Sequence, residues 1–379
     1  MDAVTTPPPL VAAPIPAPAR TDRIAYTGRP FEFRKIVTRG AMLEFFTVGF
    51  YRFWLATDLR RYLWSHTSVG GDAPEYTGTA KELFIGFLFA TAILAPVYFL
   101  YFLAGLEAER YQAFASVPLI VFFYVFSRFA IYRARRYRVT RTVWRGVRLW
   151  MTGSGWSYAW RASLWMLLTI VTIGFALPWG EAALERYKAQ HTHYGALAAR
   201  FEGTGWDLFK HGWWLWLLSL FIVTIPFTYP LYKATVWRWW VSGLRFGPVR
   251  FESDLRLGAL MGPYWKVVGW ILLLLMLDGA VIGAAFGVLM LLQGDSAQAA
   301  ALSLQDSYLA VGFTVVNYFI LALAAGAVIR IYLLGQVWQR VAQSVVVHNL
   351  DAADNVEVQG AQVNAIGEGL ADSLDVAGF

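Results

Sequence analysis

Charged side chains set inside apolar surroundings are where this chain could do chemistry. Asp278 lies near the middle of the run WILLLLMLDGAVIGAAFGVLMLL, and Arg330 lies within GAVIRIYLLG. Glu44, Arg39 and Arg161 fall inside other, shorter apolar stretches. Burying a charge at membrane depth is costly unless it is paired or hydrated, so such residues mark ion or substrate paths, or structural ion pairs. Asp278 and Arg330 belong to one helical hairpin, and they are expected to approach each other across it. A structural pair, or an Arg330 that reaches the interface, is favoured over a place on a transport path.

The histidines suit chemistry less well. His191 and His193 read as poor metal ligands, because no cysteine and few acids stand near them. His66 and His191 occupy the same position of a recurring stretch, which points to a shared hydrogen-bonding role. His211, beside Lys210 at the start of a Trp-rich segment, reads as interfacial. The chain has no cysteine, so disulfides, thiolate metal sites and Cys nucleophiles are excluded. Gly-x-Ser-x-Gly, a phosphate loop, His-Glu-x-x-His and a dinucleotide fingerprint are all absent. No catalytic residue, metal ligand or cofactor is assigned, and the expectation is a protein that is not an enzyme.

The elements that must position these residues are organised around a stretch that recurs. Arg186–Phe209 reads RYKAQHTHYGALAARFEGTGWDLF, and Arg61–Phe84 reads RYLWSHTSVGGDAPEYTGTAKELF. The shared positions are Arg61/Arg186, Tyr62/Tyr187, His66/His191, Thr67/Thr192, Gly70/Gly195, and then an aromatic residue before Gly-Thr (Gly203 and Thr204 in the second copy). Looser copies start at Arg136 and Arg238, and a worn fifth follows Trp338. The stretch reads as two short strands about a glycine turn, then a helix start. Thr79 with Glu82, and Thr204 with Asp207, have the spacing of a capping box. Isolated hairpins are marginal, so four or five of them are expected to pair into one sheet.

Between the copies lie long apolar segments. With 58% hydrophobic and 15% charged residues, the chain is far less charged than a soluble domain. Glu82–Leu103 with Phe114–Arg133, and Trp265–Leu292 with about Leu309–Leu334, have the length of full crossings. Phe31–Leu59, Tyr158–Leu184 and Trp206–Val236 instead break in the middle, at Thr47–Phe50, Thr172–Phe175 with Pro178, and Thr224–Phe227 with Pro230. Basic residues flank every copy of the motif, and the positive-inside rule puts them all in the cytoplasm. Each interval must then leave and return by one face. The broken segments are therefore expected to be re-entrant hairpins, in preference to single kinked crossings. The predicted fold is mainly α, polytopic and membrane-integral, with about five degenerate repeats of helical hairpins, two full-spanning and three re-entrant, and short β-hairpins at the cytoplasmic face.

Three parts follow: a Pro/Ala-rich disordered tail over 1–25, a repeat-built membrane domain over 26–350, and an acidic tail over 351–379. The tail holds six acids and no Lys or Arg, which leaves thirteen net positive charges on the rest. Such basicity beside apolar spans implies anionic lipid head groups as partners, not nucleic acid.

On the turn Thr172-x-Gly174 with Pro178-Trp179, Arg186-Tyr187, His191-Thr192-x-Tyr194-Gly195 and Phe201-x-Gly203-Thr204 leading to Leu208-Phe209, the chain resembles the YjgN family of bacterial inner-membrane proteins, over roughly residues 25–350. The copy at Thr47–Trp54 departs from the pattern by lacking the Pro before Trp. The resemblance implies location and architecture and supplies no activity. Two function classes remain: a transporter or channel for a small solute or lipid, with Asp278, Arg330, Glu44 and Arg161 as the candidate intramembrane polar site, or a non-catalytic scaffold or regulator that binds lipid heads or a protein through its basic face.

Overall fold

The computed structural model describes residues 20–110, 116–293, 308–354 and 356–360. The N-terminal tail up to 19, the acidic tail from 361, and parts of the links at 105–113 and 293–307 lie outside the described residues. Within them, helices come in five successive pairs, each followed by short strands. The pairs are α1 (Pro30–Phe46) with α2 (Arg52–Ser65), α3 (Ala80–Arg110) with α4 (Ser116–Thr140), α5 (Gly155–Val171) with α6 (Leu177–Gln190), α7 (Gly205–Ser219) with α8 (Ile225–Gly243), and α9 (Met261–Gln293) with α10 (Tyr308–Ile329). The last helix continues through a π-helical stretch, Arg330–Gln336, into Val337–Gln343.

Three helical segments are long and apolar enough to cross a membrane: Ala80–Leu103, Leu257–Val288 and Ala310–Gln343. The sequence reading also counted the second helix of the first long pair. At 25 residues α4 is long enough, but Arg128, Arg133, Arg135, Arg136 and Arg138 fill its C-terminal half, and it does not share that apolar character.

The three broken segments are helix pairs, with breaks where the Gly and Pro residues stand. The first and third turns match bond for bond. Gly49 N–H donates to the Glu44 carbonyl and Gly174 N–H to that of Thr169, both at 2.7 Å. The Thr47 hydroxyl donates to Leu43 O and accepts from Tyr51 N–H, while Thr172 donates to Leu168 O and accepts from Ala176 N–H. Val48 and Gly49 have φ of 51° and 86°, and Ile173 and Gly174 have 52° and 87°. The missing Pro in the first copy therefore does not alter the turn; the Thr hydroxyl and the glycine make it. The fourth pair turns differently, through a 3₁₀ segment, Ile222–Thr224.

The strands are β1 (Asp22–Arg23), β2 (Ala25–Tyr26), β3 (Thr67–Ser68), β4 (Glu75–Tyr76), β5 (Thr142–Trp144), β6 (Val147–Met151), β7 (Thr192–Tyr194), β8 (Leu197–Phe201), β9 (Leu244–Phe246), β10 (Val249–Ser253) and β11 (Val345–His348). From β4 to β11 each pairs antiparallel with the next, and β11 pairs with β1. β2 pairs with β3, and the Val69–Asp72 bridge joins the chain of β3 to that of β4. The pairings thus run in a closed circuit. The last copy of the motif looks worn because, among the described residues, no second strand follows β11; the N-terminal strand β1 pairs there instead.

Five equivalent hydrogen bonds mark the circuit. Thr27 N–H donates to His66 O, Thr77 to Arg141, Thr152 to His191, Glu202 to Gly243 and Asp254 to Ser344, all at 2.8–3.0 Å. Strand residues alternate in burial, as a sheet with one packed face requires: Val147 and Met151 are buried in β6, Ala199 and Phe201 in β8, Val345 and Val347 in β11. A core of Val147, Tyr194, Val241, Val249, Val347 and Leu350 joins strands from across the circuit.

The matched turns yield a stability prediction. Alanine at Gly49 must adopt a left-handed φ, which costs about 1 kcal/mol or more. At Gly174 the added Cβ also meets the Trp216 indole nitrogen at 2.8 Å. Thermal unfolding in detergent should show Gly174→Ala destabilised more than Gly49→Ala, and both below the unmodified chain.

Candidate functional site

The charges that the sequence singles out do not form one site. Glu44, near the C-terminal end of α1, is 1% exposed. Arg330 donates to its Oε2 from Nη1 at 2.9 Å. Packing of α1 on α10 brings the two together, with Phe45 against Phe319 alongside. Asp278, expected to face Arg330, instead accepts from the Asn317 amide at 2.6 Å. Asn317 stands thirteen residues, more than three helical turns, before Arg330, so the two polar positions lie about 20 Å apart along α10. Arg161 joins neither: exposed on α5, it lies over the Tyr187 ring at 4.4 Å. Arg39 is also exposed.

Arg330 opens the π-helical stretch, where i→i+5 bonding widens the backbone and often marks a functional site. Glu44 Oε1 is buried without a hydrogen-bond partner among the described residues. One carboxylate oxygen paired and one unmet, beside a widened backbone, is an arrangement that could exchange a proton or a cation.

The motif residues have structural roles that repeat. Arg61 Nη2 donates to Gly78 O at 3.1 Å, Arg186 Nη2 to Gly203 O at 3.2 Å, and Arg136 Nη1 to Gly153 O at 3.5 Å. Each arginine thus ties the end of one helix pair to the start of the next. His66 Nδ1 lies 2.7 Å from Tyr62 O, and His191 Nδ1 lies 2.7 Å from Tyr187 O, each ring resting against that tyrosine. Thr67 and Thr192 hydroxyls donate back to Leu63 and Lys188 carbonyls. Thr204 caps α7 by accepting from Asp207 N–H at 3.1 Å. Gly70 and Gly195 sit at strand turns with positive φ, close beneath Leu350 and the Glu357 carbonyl. His193 does not share a site with His191; it stacks on Trp150 at 4.1 Å.

Sequence reasoning missed a second buried cluster. Glu185 on α6 is held by Lys188, by Arg135 of α4 at 3.5 Å, and by the Trp240 indole of α8 at 2.9 Å. Glu181, one turn earlier, feels the charges of Lys188, Lys233 and Arg128. The legible signal was a seven-residue spacing on three successive second helices: Arg128/Arg135, Glu181/Lys188 and Lys233/Trp240. That spacing stacks both members on one helical face.

Two outcomes test these assignments. Glu44→Gln and Arg330→Gln should each cost on the order of 2–4 kcal/mol, with the double variant losing much less than their sum. Asp278→Asn should instead add independently to Arg330→Gln in the same unfolding assay. For His193, burial holds the imidazole below its ordinary value of 6.5, and its Nδ1 is buried without a partner among the described residues. The folded chain then binds this proton less readily than the unfolded chain. The contribution is whole above about pH 6.5 and is lost as pH falls through the lowered value. His193→Gln should flatten the fall in melting temperature between pH 7 and pH 5.

Comparison with protein families identifies the chain at this point. Residues 21–229 and 215–352 match the family model described as a bacterial protein of unknown function (DUF898). Neither a curated protein nor a solved structure matches the chain. The two matched stretches cover the helix pairs and the strand circuit together, and the chain belongs to this bacterial DUF898 family, which is the YjgN family.

Proposed function

We propose that the chain is a multi-pass, non-catalytic protein of the bacterial inner membrane, a scaffold or regulator built from five degenerate repeats. The two long helix pairs span the bilayer, while the three short pairs dip in and return. The strand circuit lies at the cytoplasmic face, where its basic flanks meet anionic lipid heads or a protein partner.

The tips of the short pairs carry this reading. Turns in contact with water are normally polar, yet Val48 is 74% exposed, Ile173 78% and Val223 84%. Val48 and Ile173 also hold a left-handed φ, which costs a β-branched residue about 1–3 kcal/mol. Asn or Gly would fit that backbone more easily. A strained apolar residue at a bare tip is explained by a surrounding of hydrocarbon. The short helices have 14–19 residues and rise about 21–28 Å, less than the ~30 Å of a hydrocarbon core. Exposed Trp156, Trp206 and Trp265 near the starts of α5, α7 and α9 suit the headgroup level.

The scaffold role is supported by what fills the circuit: apolar side chains packed across it, with Leu350–Ala353 among them. The transporter reading keeps one observation in its favour, the Glu44–Arg330 pair at the π-helical stretch.

The absence of cysteine makes the topology testable one thiol at a time. Ala73→Cys and Ala196→Cys, at strand turns, should react with an impermeant maleimide only once the cytoplasmic face is opened. Val48→Cys, Ile173→Cys and Val223→Cys should stay unlabelled from both sides. Ala73→Cys and Ala196→Cys reacting from opposite faces would overturn the re-entrant arrangement. For the lipid-binding part, Arg200→Gln, Arg250→Gln and Arg256→Gln together should lower the phosphatidylglycerol retained in native mass spectrometry; unchanged retention would leave a protein partner as the occupant of that face.

A further inference from the structure

The arginine that ties one helix pair to the next is replaced in the seam that closes the circuit. The five equivalent strand bonds end on the carbonyls of His66, Arg141, His191, Gly243 and Ser344. Five residues before each stand Arg61, Arg136, Arg186, Arg238 and, in the last copy, Gln339. Arg61, Arg136 and Arg186 donate to the carbonyls of Gly78, Gly153 and Gly203; the fourth seam has Leu255 in place of the glycine. Gly28 is the matching glycine of the closing seam, following Tyr26-Thr27 as Gly78 follows Tyr76-Thr77. Its carbonyl accepts no hydrogen bond among the described residues.

The neighbouring position differs in the same way. Arg60 donates to the Tyr76 hydroxyl at 3.2 Å. Its counterpart Trp338 instead turns its indole N–H to the Thr67 hydroxyl at 3.0 Å. The Tyr26 hydroxyl has no hydrogen bond among the described residues. Two cations of the first seam are thus exchanged for neutral side chains in the last, while the acceptors they serve are kept.

A cavity of about 120 Å³ lies in this seam, lined by Tyr26, Gly28, Phe33, Arg34, Gln336 and Gln339 among others. That volume exceeds the ~30 Å³ of a single bridging water. Gln336 closes the π-helical stretch, and its Oε1 is buried without a partner among the described residues. Arg34 is exposed, and its Nε donates to the Pro30 carbonyl at 3.3 Å. Buried polar groups are nearly always hydrogen-bonded, so the acceptors here call for an N–H-bearing cation, as the other seams receive from their arginines. Beside Arg34 such a cation is repelled unless it brings its own anion, which the arginine fork suits. The small volume allows only a short arm between the two charges.

We propose that the closing seam binds a phosphoethanolamine group, with its primary ammonium toward the Gly28 carbonyl, the Tyr26 hydroxyl and the Gln336 amide, and its phosphate on Arg34. The head of an aminophospholipid and free glycerophosphoethanolamine share this chemistry. The ligand does for the last seam what the arginines do for the others: it ties the final helix to the first pair. The lipid source rests on the membrane-face placement of the strand circuit proposed above, whereas the ammonium chemistry does not.

Thermal unfolding of the full chain in neutral detergent tests it, with glycerophosphoethanolamine against glycerophosphocholine. The two have the same net charge, and the trimethylated head has no N–H to donate. The first should raise the melting temperature saturably, and the second should not. Gln339→Arg supplies a guanidinium from within; it should raise the melting temperature of the ligand-free chain and abolish the shift. Arg34→Gln, at an exposed position that tolerates the change, should weaken Kd about tenfold, the loss expected for one charged hydrogen bond, and it decides the matter if Gln339→Arg does not fold. Native mass spectrometry separates the sources. Phosphatidylethanolamine retained in preference to phosphatidylcholine, and lost from Gln339→Arg, assigns the lipid head; a saturable shift without retained lipid assigns the free ester. Cysteine labelling that moves the strand circuit away from the membrane face would remove the lipid source and leave the ester result standing. Equal shifts with both esters, an unchanged response in Gln339→Arg and Arg34→Gln, or neither shift nor retained lipid, as for a cavity that holds only water, overturns the proposal.

Discussion

The structure depends on one closure. A two-stranded hairpin is marginal in water, and a row of them leaves two open edges that invite pairing with other chains. Here the N-terminal strand resolves both. Asp22–Arg23 pair with β11 and Ala25–Tyr26 pair with β3, so the last helix pair is stitched to the first. Because each hairpin joins the end of one helix pair to the start of the next, closing the circuit also fixes where every helix pair stands.

That closure sets the rest of the packing. Arg20 reaches the Gly70 carbonyl, and its N–H donates to Asp351. Arg145 takes Asp72 at 2.6 Å and also pairs with Asp354. The acidic segment after β11 therefore does more than add negative charge: Leu350, Ala353 and Val356 pack on the strand core, and the Glu357 carbonyl accepts from Ala196 N–H at 3.1 Å. Basic loops and acidic segment compensate each other where they meet, while the outward arginines stay exposed to whatever lies around the rim.

Inside the helix pairs, charge is handled in two ways. Glu44 and Arg330 lie 286 residues apart in the chain and meet only because the first and last pairs are neighbours in the circuit. Glu185 draws partners from the pairs on both of its sides. In each case a buried carboxylate costs less when neighbouring pairs contribute cations and donors. Polar side chains thus act between units, whereas the turns and caps act within them.

Much of this was legible in the residues themselves, because the interactions that decide it are local. The breaks at Thr47–Phe50 and Thr172–Phe175 need only a threonine hydroxyl, a glycine and the preceding helix. The His-Thr and Gly-Thr positions bond within a few residues of themselves, so their spacing alone declares strand, turn and cap. Even Tyr26-Thr27-Gly28 carried the same signature as Tyr76-Thr77-Gly78 and marks the closing strand. Which charges meet was decided elsewhere. Asp278 and Arg330 share a hairpin, yet helical rise sets them at different depths, and their partners come from Asn317 and from a helix at the other end of the chain. Glu185 meets Arg135 and Trp240 only because the circuit brings three second helices together. Local hydrogen bonding is written in sequence order; long-range pairing of charges follows from the closure, and that belongs to the tertiary structure alone.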